Sequence, residues 1–146
     1  MAMRKPTQLE FLEYDGAHCF QLWKILPAEW RCPGCDRSKF EVLRWTKRYF
    51  KLGVGKCPAY MAWMAGLHRH HDHAQGYVDQ GLGRFPETVI CDQCNSSDGT
   101  AKRRLSLPQN FSFSPSEIRE FITATPHGRH SLDLQRAKNL YQRLGV

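Results

Sequence analysis

No stretch of this sequence approaches the ~18 consecutive apolar residues that a membrane-spanning helix needs. The opening segment, MAMRKPTQLEFLEYDG, has no continuous apolar core of the kind that directs secretion. These absences lead us to expect a soluble, cytoplasmic protein with no membrane partner. There is no internal repeat or low-complexity tract, so nothing points to a solenoid or a disordered tail. Acidic residues are scarce: 14 Asp and Glu stand against 21 Lys and Arg, a formal net charge of +7. That imbalance attracts polyanions and suits salt-dependent binding to nucleic-acid phosphates, although a merely solubilising cationic surface has the same composition. With 41% hydrophobic residues in 146 positions, the chain can bury one modest core. We therefore expect a single domain over 1–146, with an extension at 1–30, a core at 31–105 and a helical tail at 106–146.

Cysteine is not scarce, and in a reducing compartment six cysteines are poor material for a disulfide framework. Four of them form two CxxC pairs, Cys32-Pro-Gly-Cys35 and Cys91-Asp-Gln-Cys94. Each turn of this length lets both thiolates bind one ion, and two such knuckles complete a tetrahedral set for Zn²⁺. With four protein ligands the metal has no open position, so its role is structural and its binding energy becomes folding energy. The competing readings are two redox dithiols or four buried cysteines. A simple zinc ribbon has a much shorter interval than the one from Cys35 to Cys91, so something further is built between the knuckles. Cys19 and Cys57 stand alone and read as small buried hydrophobes rather than ligands.

Four of the seven histidines lie in the run Leu67-His68-Arg69-His70-His71-Asp72-His73. Packing alone does not call for such a density, whereas metal binding or acid–base chemistry does. In an extended strand His71 and His73 share one face while His70 and Asp72 take the other. A turn around Gly76 would return the chain into a second strand at Thr88-Val89-Ile90, which leads to the second knuckle. The next segment, Asn95 to Arg104, reads as a helix with Asn95, Asp98 and Lys102 on one face.

The runs His70-His71-Asp72-His73-Ala74-Gln75-Gly76-Tyr77-Val78 and Cys91-Asp92-Gln93-Cys94-Asn95-Ser96-Ser97-Asp98-Gly99, with the upstream Cys32/Cys35 pair, resemble the phage recombination endonuclease VII family. The resemblance spans residues 32–104 and leaves both ends uncovered. It implies an α+β fold with a ββα-metal (HNH) core and a His general base. It also implies a divalent cation, Mg²⁺ or Mn²⁺, held between the hairpin and the helix. Carried over without gaps, His71 takes the place of the base, and His70 and Asn95 those of the metal ligands. His70 departs from the family's carboxylate, although a His-His pair resembles the colicin-type nucleases of the same fold. An alternative register uses Asp72 as ligand and His73 as base. Asp98 would complete or orient the metal shell, and His73 in the first register would position phosphate or water. The implied reaction is hydrolysis of DNA phosphodiesters, giving 5′-phosphate and 3′-hydroxyl ends. Histidine titrates ordinarily near 6.5, so a neutral ring can take a proton from water at neutral pH.

Arg44-Trp45-Thr46-Lys47-Arg48-Tyr49-Phe50-Lys51 interleaves cations with aromatics. It reads either as a nucleic-acid contact through Arg44, Lys47, Arg48 and Lys51 or as an amphipathic element with a solvated basic face. Arg69, Lys102, Arg103 and Arg104 are further candidates for phosphate contact. In the tail, Ser114-Pro115-Ser116-Glu117 combines an N-cap, a first-turn proline and a capping-box glutamate. Ile118, Phe121 and Ile122 follow at helical spacing. Thr125-Pro126-His127-Gly128 breaks the run, and Ala137, Leu140, Tyr141 and Leu144 stripe a second helix that stops at Gly145. These stripes serve the core or a subunit contact. A homodimer is expected, because two single-metal sites cut two strands most simply by two-fold symmetry. Double-stranded or branched DNA is the expected partner; a non-catalytic zinc module binding nucleic acid or protein is the alternative.

Overall fold

The N-terminal extension, to which the sequence assigned no period, folds as two short helices whose ends are closed by side chains. The computed structural model describes residues 3–49, 59–73 and 83–146. Helix α1 (Gln8–Glu13) starts at Thr7, whose hydroxyl accepts from Glu10 N while Glu10 reaches back to the Thr7 amide. Helix α2 (Phe20–Ile25) buries Trp23, against which Phe11 and Tyr14 pack edge-on. The α2 C-terminal carbonyls are satisfied by Lys39, whose Nζ donates to Trp23 O at 2.7 Å and Leu26 O at 3.1 Å. A single lysine thus joins the extension to helix α3 (Lys39–Val42), itself capped by a Ser38–Glu41 box.

The run of interleaved cations and aromatics is a strand, β1 (Arg44–Tyr49), paired antiparallel with β2 (Ala59–Met64) from Arg44↔Met64 to Tyr49↔Ala59. Next come β3 (Leu67–His70) and β4 (Thr88–Cys91), antiparallel with Leu67 opposite Cys91 and His70 opposite Thr88. The second strand lies where the sequence put it; the expected turn at Gly76 lies outside the described residues. The chain then passes straight from β4 into helix α4 (Asp92–Arg104). The sequence placed this start at Asn95, but the knuckle itself is the first helical turn. Cys91 is the N-cap, and its sulfur accepts from Cys94 N at 3.4 Å.

Helix α5 (Pro115–Phe121) begins with the predicted Ser114–Glu117 capping box and proline. It ends one residue earlier than its apolar stripe suggests. Ile122 is not on the helix but opens β5 (Ile122–Thr123), extended at φ −111° and ψ 156° and paired with Leu132 of β6 (Ser131–Leu132). Asp133 then caps α6 (Leu134–Leu144), and Gly145 closes it in the left-handed conformation (φ 65°) that favours glycine.

The core is drawn from every part of the chain: Val42, Leu43, Ile90, Phe113, Ile118 and Phe121 are all at most 2% exposed. Each fully buried side chain of this size contributes roughly 1.5–3 kcal/mol of transfer free energy. The tail stripes are spent here, with Ile118, Phe121, Ala137 and Leu140 buried within the chain rather than offered to a second subunit. The exposed large apolar residues include Leu9, Leu12, Phe20 and Ile25 of α1 and α2. The architecture is thus mixed helix and strand, α+β, and no helix among the described residues is long and apolar enough to cross a membrane.

Candidate functional site: a four-cysteine cluster beside a histidine-bearing strand end

The two knuckles, 56 residues apart in sequence, converge so that the sulfurs of Cys32, Cys35, Cys91 and Cys94 all lie within 4.8 Å of one another. Cys32 and Cys94 are 3.7 Å apart, as are Cys35 and Cys91. A tetrahedron with ~2.3 Å metal–sulfur bonds has edges of about 3.8 Å, so the cluster has the size of a thiolate-bound metal centre. Backbone amides complete the knuckles, with Cys91 N donating to the Cys32 sulfur at 3.3 Å. The Cys-Pro-Gly-Cys turn needs its glycine, because a Cβ at Gly34 would stand 2.6 Å from the Cys94 sulfur.

Two residues outside the CxxC motifs contact the sulfurs, and one of them, Arg37, donates to them. Arg37 is 4% exposed, with Nε 3.3 Å from the Cys35 sulfur and Nη2 3.4 Å from the Cys91 sulfur. Its Nη1 donates to the carbonyls of Thr125 and Gly128, each at 3.1 Å, which fastens the turn before β6 to the cluster. His130 brings Nε2 to 3.3 Å from the Cys94 sulfur. Hydrogen bonding from Cys32 first, opposed by Cys35 and aided by Cys94, lowers Cys91 to about 5, and hydrogen bonding from Cys32 first also lowers Cys35. Arg37 therefore stands beside sulfurs that readily carry negative charge. Sequence reasoning missed both Arg37 and His130, since neither has a motif; their burial alone gives them away.

The histidine run was expected to lie on one strand, but β3 ends at His70; burial still alternates through His71, Asp72 and His73 beyond it. His70 (4% exposed) and Asp72 (8%) point inward, while Arg69, His71 and His73 face solvent. His70 Nε2 lies 2.6 Å from the Phe113 carbonyl, and since a carbonyl can only accept, Nε2 carries the proton. The neutral ring then presents Nδ1 as a free-electron-pair donor, the arrangement usual for a metal-ligating histidine. The amide of the same residue, Phe113 N, donates to Asp98 Oδ1 at 2.8 Å. The backbone of one residue therefore links the hairpin to α4. Asp98 Oδ2 is 3.2 Å from Lys102 Nζ, which is also 3.2 Å from Ser112 Oγ.

Asn95 and Asp98 sit on the α4 face shared with Lys102, as expected from their spacing. Asp72 turns inward, where Oδ2 accepts from Arg84 N at 3.0 Å and so closes the returning loop. His71 and His73 stack with ring centroids 4.4 Å apart. Nδ1 of His71 is 3.8 Å from Glu87 Oε2. Burial first, then the neighbouring His71 charge, lowers the pKa of His73 and favours its neutral ring. His68, outside the proposed set, contacts Asp92 Oδ1 at 3.4 Å. Among the described residues, no second set of three His, Cys, Asp or Glu ligand atoms converges as the cysteines do.

The basic candidates divide. Lys47, Arg69, Arg103 and Arg104 are exposed, whereas Arg48 is half-buried. Arg69 lies 3.7 Å from Glu87, Arg44 lies 3.7 Å from Asp92, and Lys102 is committed to Asp98 and Ser112. Lys51 and Cys57 lie outside the described residues. Cys19 is half-buried, accepts from Leu67 N at 3.5 Å and is not among the converging sulfurs, in keeping with a packing role. The buried segment Phe111–Ser114 was also missed. It clamps the hairpin and α4 together through Phe113, and it holds Arg84 through Ser112 O at 2.7 Å.

The chain matches no family model, no curated protein and no solved structure.

Proposed function

We propose that the protein is a metal-dependent DNA endonuclease of the HNH (ββα-metal) type, with zinc at the four cysteines as its structural staple. The observation that carries this reading is the backbone of Phe113. Its carbonyl and amide hold His70 of β3 and Asp98 of α4, beside the solvent-facing His71 and His73. A strand pair feeding a helix, with a histidine on the strand and an amide and a carboxylate on the helix, supplies the donor types a single divalent cation uses.

In the proposed reaction His71 accepts a proton from a water molecule whose oxygen attacks phosphorus. The bond to the 3′ oxygen breaks, and that oxygen leaves as a 3′-hydroxyl after protonation from solvent, with the phosphate retained on the 5′ end. Glu87, facing Nδ1 of His71, favours the tautomer with a proton there and leaves Nε2 to act as base. His73, neutral at working pH, positions the phosphate or the water. Mg²⁺ or Mn²⁺ held by His70 and Asn95, with Asp98 orienting that shell, would neutralise charge on the phosphate and on the departing oxygen. Asp72, engaged by the Arg84 amide, supports the returning loop in this register.

A second reading, a non-catalytic metal module that binds nucleic acid or protein, is favoured by the absence of a second convergent triad among the described residues. Incubating purified protein with supercoiled plasmid and with a branched junction, each with Mg²⁺, Mn²⁺ or EDTA, separates the two. Metal-dependent nicking or resolution with 5′-phosphate ends is expected. Binding without cleavage under every metal condition would leave the module.

A further inference from the structure

On α4 the residues at 93, 96, 97 and 100 share one face, and those at 95, 98 and 102 share the opposite one, since successive residues are ~100° apart. The histidine strand and Phe113 occupy the second face. The first face borders a separate cleft of about 350 Å³, lined among others by Ser96, Thr100, Asp92, Arg44, Arg129 and His130.

Three features of this cleft are unpartnered or only partly partnered within the described residues. Arg129 is exposed and makes no ion pair or hydrogen bond among the described residues. Arg44 has 17% of its side chain exposed and has Asp92, at 3.7 Å, as its acidic neighbour; Asp92 is already in contact with His68. Burial first, with the Arg129 charge also contributing, lowers the Arg44 pKa, and the two guanidinium groups line the cleft with Asp92 as its one carboxylate. The third is His130, 8% exposed, whose Nε2 is on the Cys94 sulfur while Nδ1 is buried without a partner. Ser96 and Thr100 add hydroxyl groups to the rim.

We propose that this cleft is a binding site for a phosphate group, held by the Arg44 and Arg129 guanidinium groups with hydrogen bonds from the Ser96 and Thr100 hydroxyls. A tetrahedral oxyanion matches both requirements: it offers enough acceptors for two planar donor forks, and its charge relieves the crowding of like charges. The site is separate from the proposed hydrolytic centre and does not depend on it. The phosphate could belong to a nucleic-acid backbone or to a small phosphate ligand, and the two sources are separated experimentally.

The test uses the metal-loaded chain carrying His71→Ala, so that cleavage does not enter, with and without Arg129→Gln. The first arm titrates inorganic phosphate and follows the Ser96, Thr100 and Arg129 amides by NMR. The second measures the salt dependence of binding to a duplex of ~20 base pairs. Saturable phosphate shifts that weaken about tenfold or more in Arg129→Gln, at an unchanged melting temperature, are expected from loss of a charged hydrogen-bond partner. If the occupant is a backbone phosphate, the magnitude of the duplex salt slope also falls by about 1 in Arg129→Gln. A phosphate effect with an unchanged slope supports the site with a small-molecule source. Titrations indistinguishable between Arg129→Gln and its parent in both arms would overturn the proposal.

Discussion

At the cysteine cluster the ligand atoms face one another, their amide and guanidinium donors are in place, and three of the four residues are 0% exposed. At the histidine segment the rings alternate, one locked inside by a carbonyl and two stacked in solvent. Both regions are dense in metal-binding side chains, yet one is closed and the other open. The difference lies in geometry rather than composition. Two tight turns meeting head-on aim four side chains at one point, whereas an extended strand sends neighbouring side chains to opposite faces. A closed set suits holding a chain together; an open one suits chemistry on something that comes and goes.

The sharpest way to break this contrast is to remove a cysteine. Cys91→Ser should abolish stoichiometric metal content and the cooperative thermal transition together, because structural zinc contributes on the order of 10 kcal/mol to folding in small domains. Protein that lacks metal but still melts cooperatively would deny the cluster its structural role.

Next in size is the open site. His71→Ala should lower metal-dependent cleavage by ~10²–10⁴-fold while leaving melting temperature and metal content unchanged, since its side chain is 47% exposed. His73→Ala should do less. If His73→Ala is instead the dead variant and Asp72→Ala loses its response to Mg²⁺ or Mn²⁺, the register is shifted by two residues.

Arg37→Met tests whether the closed site depends on residues beyond its ligands. Leaving thiolates without a buried cationic partner should cost about 3 kcal/mol in a denaturant titration of metal-loaded protein. A change below ~0.5 kcal/mol, the usual range for surface substitutions, would show that Arg37 only fills space.

Smaller still is Ser114→Ala, which removes the α5 N-cap and should cost about 1 kcal/mol with metal content unaltered. The last test is pH. Burial raises the Glu117 pKa, but Arg84, bonded through Nη1 and Nη2 at 3.0 and 2.9 Å, more than offsets this and lowers it below the usual 4.5. The stabilisation is therefore present above pH 4.5 and is lost as pH falls through the lower folded value. Stability curves of parent and Arg84→Gln should converge on acidification below 4.5; a constant gap would assign the effect to packing on Phe111.

Much of the fold was legible because its signals are local. Ser114-Pro115 with Glu117 encodes a helix start whatever surrounds it, and Gly145 encodes a stop. The inward and outward alternation of His70, His71, Asp72 and His73 matches the expected faces, although β3 ends at His70 and the last three lie beyond it. Ile122 was misplaced on a helix because an apolar residue satisfies both periods, and the pairing with Leu132 decided between them. The helix at Asn95 begins three residues earlier because a cysteine sulfur, not a usual capping oxygen, accepts the first amide.

By itself the sequence determined the two knuckles, the strand faces of the histidines, the α4 face carrying Asn95 and Asp98, and the caps of the tail helices. Each depends on residues a few positions apart, so spacing suffices. Only the tertiary structure decided that Arg37 and His130 stand on the sulfurs, that Phe113 bridges His70 and Asp98, and that the tail stripes close the core. The same holds for Arg44 and Arg129 lining one cleft. Those pairs join positions up to 85 residues apart. Long-range partners leave no periodic trace, because what selects them is burial and the need to satisfy charges and polar atoms once the chain has closed on itself.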